Sequence, residues 1–133
     1  NDLGYVFGAD GGFALTATDV RIPDTSFVAK ERIQGKMPDL IPGAPDLAVE
    51  VISPSETPVS INDKAQLYFD TGAKVVWIIY PDDKQAEIRT PSEEGYHVIP
   101  VGIDDNLHAK SVLPDFELPL NKIFPKPQLT TEA

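Results

Sequence analysis

Asp46-Leu47-Ala48-Val49-Glu50-Val51-Ile52 and Val75-Val76-Trp77-Ile78-Ile79-Tyr80 are the two runs on which the fold turns. Both are short and rich in branched residues, and Gly72 and Pro81 bound the second. Such runs read as buried strands rather than helices. Between them Ile61, Ala65, Tyr68 and Phe69 recur at helical spacing. Ser60 or Asn62 supplies an N-cap, Asp63 suits the positive end of the dipole, and Gly72 is a stop. A helix of about 11 residues between two apolar strands predicts a β-α-β crossover and parallel pairing of the strands.

Upstream, Tyr5-Val6-Phe7 and Phe13-Ala14-Leu15 flank the turn signal Ala9-Asp10-Gly11-Gly12 and read as a hairpin. Residues 20–29 form one β segment with Pro23 at an edge or irregular point. Residues 30–45, with Pro38, Pro42, Pro45, Gly35 and Gly43, read as a loop. Downstream, 82–84 is a turn, and 86–90 with 96–101 form an antiparallel pair around Ser92-Glu93-Glu94-Gly95. The chain from Asp104 is expected to wrap the surface, and residues 126–133 to be flexible. Residues 1–125 are expected to form one domain. The expected class is α/β with a mixed sheet, and the helix that would lead into the first strand is expected to be missing from this chain.

Composition narrows the chemistry. The 133 residues carry 21 acidic and 11 basic side chains, a formal charge of −10, and no cysteine. That excludes a disulfide scaffold, thiolate metal sites and a cysteine nucleophile. It fits a reducing compartment, and a cytoplasmic location is expected. No run approaches the roughly 20 apolar residues of a membrane span. The charge argues against a generic basic nucleic-acid binder, because phosphate contacts need Lys and Arg. His97 and His108 lack partners at metal-ligand spacing, the glycines at 4, 8, 11 and 12 form no phosphate loop, and no nucleophilic serine motif is present.

Glu50 breaks an apolar strand. A carboxylate there is costly unless it is paired, hydrogen-bonded or bound to metal. By alternation it shares a face with Ala48 and Ile52. If 20–29 runs antiparallel to 46–52, Asp24 falls near Glu50. Asp46 is about 13 Å away at roughly 3.3 Å per residue and belongs to the rim. Two close carboxylates attract a hard cation such as Mg²⁺. Lys64, placed in the first turn of the helix, can reach the same pocket and orient the nucleophile or offset phosphate charge.

The ordered set Arg21-Ile22-Pro23-Asp24, Pro45-Asp46-Leu47-Ala48-Val49-Glu50-Val51-Ile52-Ser53-Pro54-Ser55, Lys64-x-x-x-Tyr68-x-x-x-Gly72 and Val76-Trp77-Ile78-Ile79-Tyr80-Pro81 resembles the putative restriction endonuclease family of the PD-(D/E)XK nuclease superfamily. The resemblance implies a restriction-endonuclease-like core, a central mixed sheet flanked by few helices. It implies a Mg²⁺-dependent endonuclease acting on DNA, with Mn²⁺ as a possible substitute. Asp24 and Glu50 would ligate the metal, and Asp24, Glu50 and Lys64 would be catalytic. The simplest superfamily pattern has lysine two residues after the glutamate; Ile52 stands there, and Lys64 matches a lysine moved to the next helix. Gln66 and Tyr68 match supporting polar positions on that helix, and Asp46 shapes the strand entry. Many nucleases of this fold need two active sites for double-strand cleavage, so a homodimer is expected. DNA contact would fall to Arg21, Lys30, Arg32, Lys36 and Lys64. The alternative is a non-catalytic module on the same fold that binds nucleic acid or protein. A proline-rich structural β domain is a third reading, which a parallel β-α-β unit would remove.

Overall fold

A computed structural model describes residues 4–7, 12–14, 20–21, 25–29, 32–33 and 40–124. In chain order its elements are β1 (Gly4–Phe7), β2 (Gly12–Ala14), β3 (Val20–Arg21), β4 (Thr25–Ala29), β5 (Leu40–Pro42), β6 (Leu47–Val51), α1 (Pro58–Asp70), β7 (Val75–Tyr80), β8 (Gln85–Ser92), β9 (Gly95–Val101), β10 (Asn106–Ala109) and β11 (Leu113–Pro119). The central sheet has six strands in the order β1-β4-β6-β7-β8-β9. Its core is the expected crossover: β6 and β7 are parallel, with Glu50 opposite Ile78, and α1 joins them. This parallel unit removes the structural β-domain reading. β4 runs antiparallel to β6, and β7, β8 and β9 form an antiparallel meander. The sheet is therefore mixed, and α1 is the one α-helix among the described residues.

Alternation along β6 and β7 splits the core in two. Ala48, Val76 and Ile78 face α1 and pack with Ile61, Ala65 and Tyr68. Leu47, Val75, Trp77 and Ile79 face the other way, against Leu107, Ala109, Leu113 and Leu120. The second layer corrects the expectation of a surface-wrapping tail. β10 and β11 form an antiparallel ribbon whose apolar side chains close the far face of the sheet. Trp77 anchors it by donating its indole N–H to the carbonyl of His108 at 2.9 Å. Residues 126–133 lie outside the described residues.

The helix begins earlier than Ser60 or Asn62. Thr57 is the N-cap: its hydroxyl accepts from the Ser60 N–H, and the Ser60 hydroxyl accepts from the Thr57 N–H, each at 3.1 Å. This reciprocal box satisfies two otherwise orphaned donors, and Pro58 behind it enters at the one position where a missing N–H costs nothing. At the other end Gly72 takes a φ of 118°. Its N–H reaches Phe69 O, and that of Ala73 reaches Tyr68 O. That is a Schellman closure, which glycine makes cheap.

Three upstream expectations change. β1 pairs with β4, not with β2, so the hairpin does not form. Residues 20–29 are two strands in two sheets: β3 pairs with β2, and β4 joins the central sheet. Pro23, which was expected at an irregular point of one strand, lies outside the described residues. The 30–45 segment contains β5, which pairs in parallel with β2. Here tertiary pairing overrides the turn signals that the local residues carry.

Candidate active site

β6 delivers Glu50 to the helix-facing side of the sheet, where it is only 7% exposed. The crossover then lays α1 across that side. Lys64 consequently meets Glu50, with Nζ 3.1 Å from Oε1. Tyr68, one helical turn on and fully buried, donates its hydroxyl to Glu50 Oε2 at 3.3 Å. Because α1 starts at Pro58, Lys64 sits in its second turn rather than its first, and its clash with the helix dipole lapses.

A residue that sequence reasoning missed completes the cluster. Glu56 Oε1 lies 2.9 Å from Lys64 Nζ. Its other oxygen accepts the Ser53 N–H at 2.9 Å, while the Glu56 N–H reaches back to Ser53 O. The signal was present as Ser53-x-x-Glu56, the spacing of a reciprocal capping turn, in a segment read only as loop. The hydrogen bond from Ser53, followed by Lys64, holds the Glu56 carboxyl below its ordinary range. Partial burial pulls the Lys64 ammonium down, but its hydrogen bonds to Glu56 and Glu50 prevail, and its pKa is raised. Lys64 is thus a firmly protonated cation between two carboxylates.

The other predicted residues fall in different places. Asp24 lies outside the described residues; Thr25, bonded to it, stands opposite Val49 in β6. Asp46 is buried and serves the frame. It accepts the Ala29 N–H at 2.6 Å, lies 3.4 Å from Arg32 and 3.6 Å from Lys74, and its own backbone bonds to Phe27, Lys74 and Val75. Gln66 bonds along the helix to Asp70 and is not brought to Glu50. Arg32 spends its guanidinium on the carbonyls of Ala44 and Pro42 as well as on Asp46. Arg21 is placed by its backbone in β3, and Lys30 and Lys36 lie outside the described residues.

A second polar network flanks the first across the sheet. The register aligns Glu50, Ile78 and Glu87 in one row. Glu87 accepts from Tyr80 and, through two nitrogens, from Arg89, which is only 4% exposed. Arg89 also donates to Asn62 of α1 and lies over the Tyr96 ring. Burial and the Glu87 charge push the Tyr80 hydroxyl up. Every arm of this arginine is committed, so it locks α1 to β8 and β9.

Hard oxygen donors suit Mg²⁺, which takes one or two protein carboxylates and keeps its waters. The buried Glu50 carboxylate meets that requirement. Among the described residues no group of three or more His, Cys, Asp and Glu side chains gathers as a closed metal cage.

A central mixed sheet crossed by a helix matches the expected restriction-endonuclease-like core. The chain belongs to the putative restriction endonuclease family, Uma2, whose pattern matches residues 1–121. Among solved structures it is similar to a putative nuclease of the DUF820 group from Anabaena variabilis. The TM-score is 0.74 at 20% identity, over 92% of this chain and 69% of that one. At that identity the likeness speaks for the fold. No curated protein matches the chain. Among the described residues no helix is long and apolar enough to cross a membrane.

Proposed function

We propose that this chain is a divalent-metal-dependent nuclease that hydrolyses DNA phosphodiester bonds, with Glu50 and Lys64 at the centre of its site. The observation that carries the reading is the 3.1 Å contact between the Lys64 ammonium and a buried strand carboxylate. A fold that needed only stability would gain as much from apolar residues there. Glu50, together with Asp24, would hold Mg²⁺ or Mn²⁺. Bound there, the metal would supply Lewis acidity toward a phosphoryl oxygen and acidify a water. Lys64 contributes a fixed positive charge where a phosphate would gain negative charge. Tyr68 fixes the rotamer of Glu50 by donating to its second oxygen. The core beneath, Ala48, Ile61, Ala65 and Ile78, keeps water from the back of the carboxylate.

Plasmid nicking with Mg²⁺ or Mn²⁺ tests this. Wild type is expected to nick, and Glu50→Ala and Lys64→Ala to lose at least about a hundredfold, the scale on which removal of one charge-stabilising group acts. Cleavage that persists unchanged in both variants refutes the assignment. Duplex binding without cleavage in any divalent metal would favour the non-catalytic alternative.

A further inference from the structure

The geometry points to Glu56 as a positioning residue: it shares the Lys64 charge with Glu50 and so leaves Glu50 able to bind a cation. The inference rests on the proposed metal role of Glu50. Three observations carry it. Lys64 Nζ is as close to Glu56 as to Glu50, at 2.9 and 3.1 Å. Glu56 is itself fixed, because the Ser53 N–H and hydroxyl hold its second oxygen at 2.9 and 3.4 Å. Ser53 follows β6 closely, so the strand that presents Glu50 also sets the turn that presents Glu56.

The charge arithmetic gives the clamp a purpose. An ammonium paired with Glu50 alone would neutralise it and occupy an oxygen that a cation needs. With Glu56 the trio carries a net single negative charge, and Lys64 already holds a second carboxylate at 2.9 Å. A cation arriving at Glu50 displaces the ammonium from that oxygen alone, and the bond to Glu56 keeps Lys64 beside the site. Glu56 touches neither metal nor substrate in this scheme; it acts through Lys64.

The test uses the intact chain with Mn²⁺ alone as probe, and reads position separately from affinity. Nitrogen-15 spectra without metal report the Lys64 ammonium, whose hydrogens exchange slowly only while it is clamped. Glu56→Gln leaves the ammonium on Glu50 alone, so its signal is expected to move from the wild-type position and Mn²⁺ to bind about tenfold more weakly by calorimetry, the scale typical of outer partners of metal ligands. Glu56→Asp keeps the charge but falls short of Lys64, so it should recover part of the affinity but not the wild-type signal position. Circular dichroism checks that each variant is folded. A wild-type ammonium signal or wild-type Mn²⁺ affinity in Glu56→Gln overturns the role of Glu56. Glu50→Gln separates the two levels. If it binds Mn²⁺ as wild type does, the metal reading falls, and the ammonium signal alone decides the positioning.

Discussion

Replacing Lys64 by methionine should destabilise the chain more than replacing Glu50 by glutamine, and the two changes together should cost less than their sum. At 3.1 Å the Lys64–Glu50 attraction is about 5 kcal/mol gross at an effective dielectric of about 20. Desolvation and side-chain ordering cancel most of it. The lysine side chain is 24% exposed and the glutamate 9%, which places the pair between a surface bridge and a buried one. A net cost of about 2 kcal/mol for Lys64→Met follows, near 8 °C in Tm for a chain of this size. That variant takes the ammonium from two carboxylates at once. Glu50→Gln removes one carboxylate, leaves Lys64 seated on Glu56, and should cost about 1 kcal/mol or less. In the double variant no charge is stranded on the buried strand, so a coupling of at least about 1 kcal/mol is expected. Urea unfolding of the four proteins measures it. Additive effects would show that the contact is not energetically coupled, and a Glu50→Gln variant less stable than Lys64→Met would refute the order of the two costs.

Glu56 should make stability fall in acid. Its folded carboxyl lies below the ordinary value of 4.5, so its contribution is complete above that pH and drains away as pH falls through the folded value; the Tm difference between wild type and Glu56→Gln should shrink below about pH 4.5. Arg89→Lys keeps the charge but cannot reproduce the bonds to Glu87 and Asn62 together, so a loss of about 2 kcal/mol is expected by denaturant titration. Ser26→Ala should be neutral or stabilising by up to about 1 kcal/mol, because the buried Ser26 hydroxyl has no hydrogen-bond partner among the described residues. DNA binding measured in Ca²⁺ should show a shallow salt slope, corresponding to no more than about three phosphates, since Arg32 and Lys64 are already committed within the fold.

The parts of the fold legible in the sequence are those where one physical constraint dominates. Val75–Tyr80 is apolar throughout because both faces are covered, and a run of that length between glycine and proline has one reading. The crossover then follows from chain geometry. Glu50 was legible because it violates the pattern around it. The upstream strands were not: β1, β2 and β3 are short, β1 pairs with β4 and β2 with β5 at a distance along the chain, and the glycine pairs imitate a β1–β2 hairpin where β2 instead turns to β3. The β10–β11 ribbon was hidden for a similar reason: Leu107 and Leu113 acquire meaning only against Trp77 and Ile79, which lie on another element. Glu56 was hidden because its value depends on the distance to Lys64, which the helix start sets; an N-cap at Ser60 in place of Thr57 puts that lysine in a different turn.

Moving the lysine from strand to helix changes what the site depends on. A lysine at position 52 would be carried by the same backbone as Glu50, and their spacing would survive loose packing of the helix. Ile52 stands there instead and packs against the α1-side core. Lys64 reaches Glu50 only because Ile61, Ala65 and Tyr68 seat the helix on Ala48, Val76 and Ile78. Arg89 holds the same helix from its far side through Asn62. In the proposed reading, the docking of α1 therefore becomes part of the site's geometry. Core substitutions on the buried face of the helix, such as Ala65→Gly, should then disturb the Lys64–Glu50 contact before they unfold the chain. A lysine on the strand would be indifferent to them.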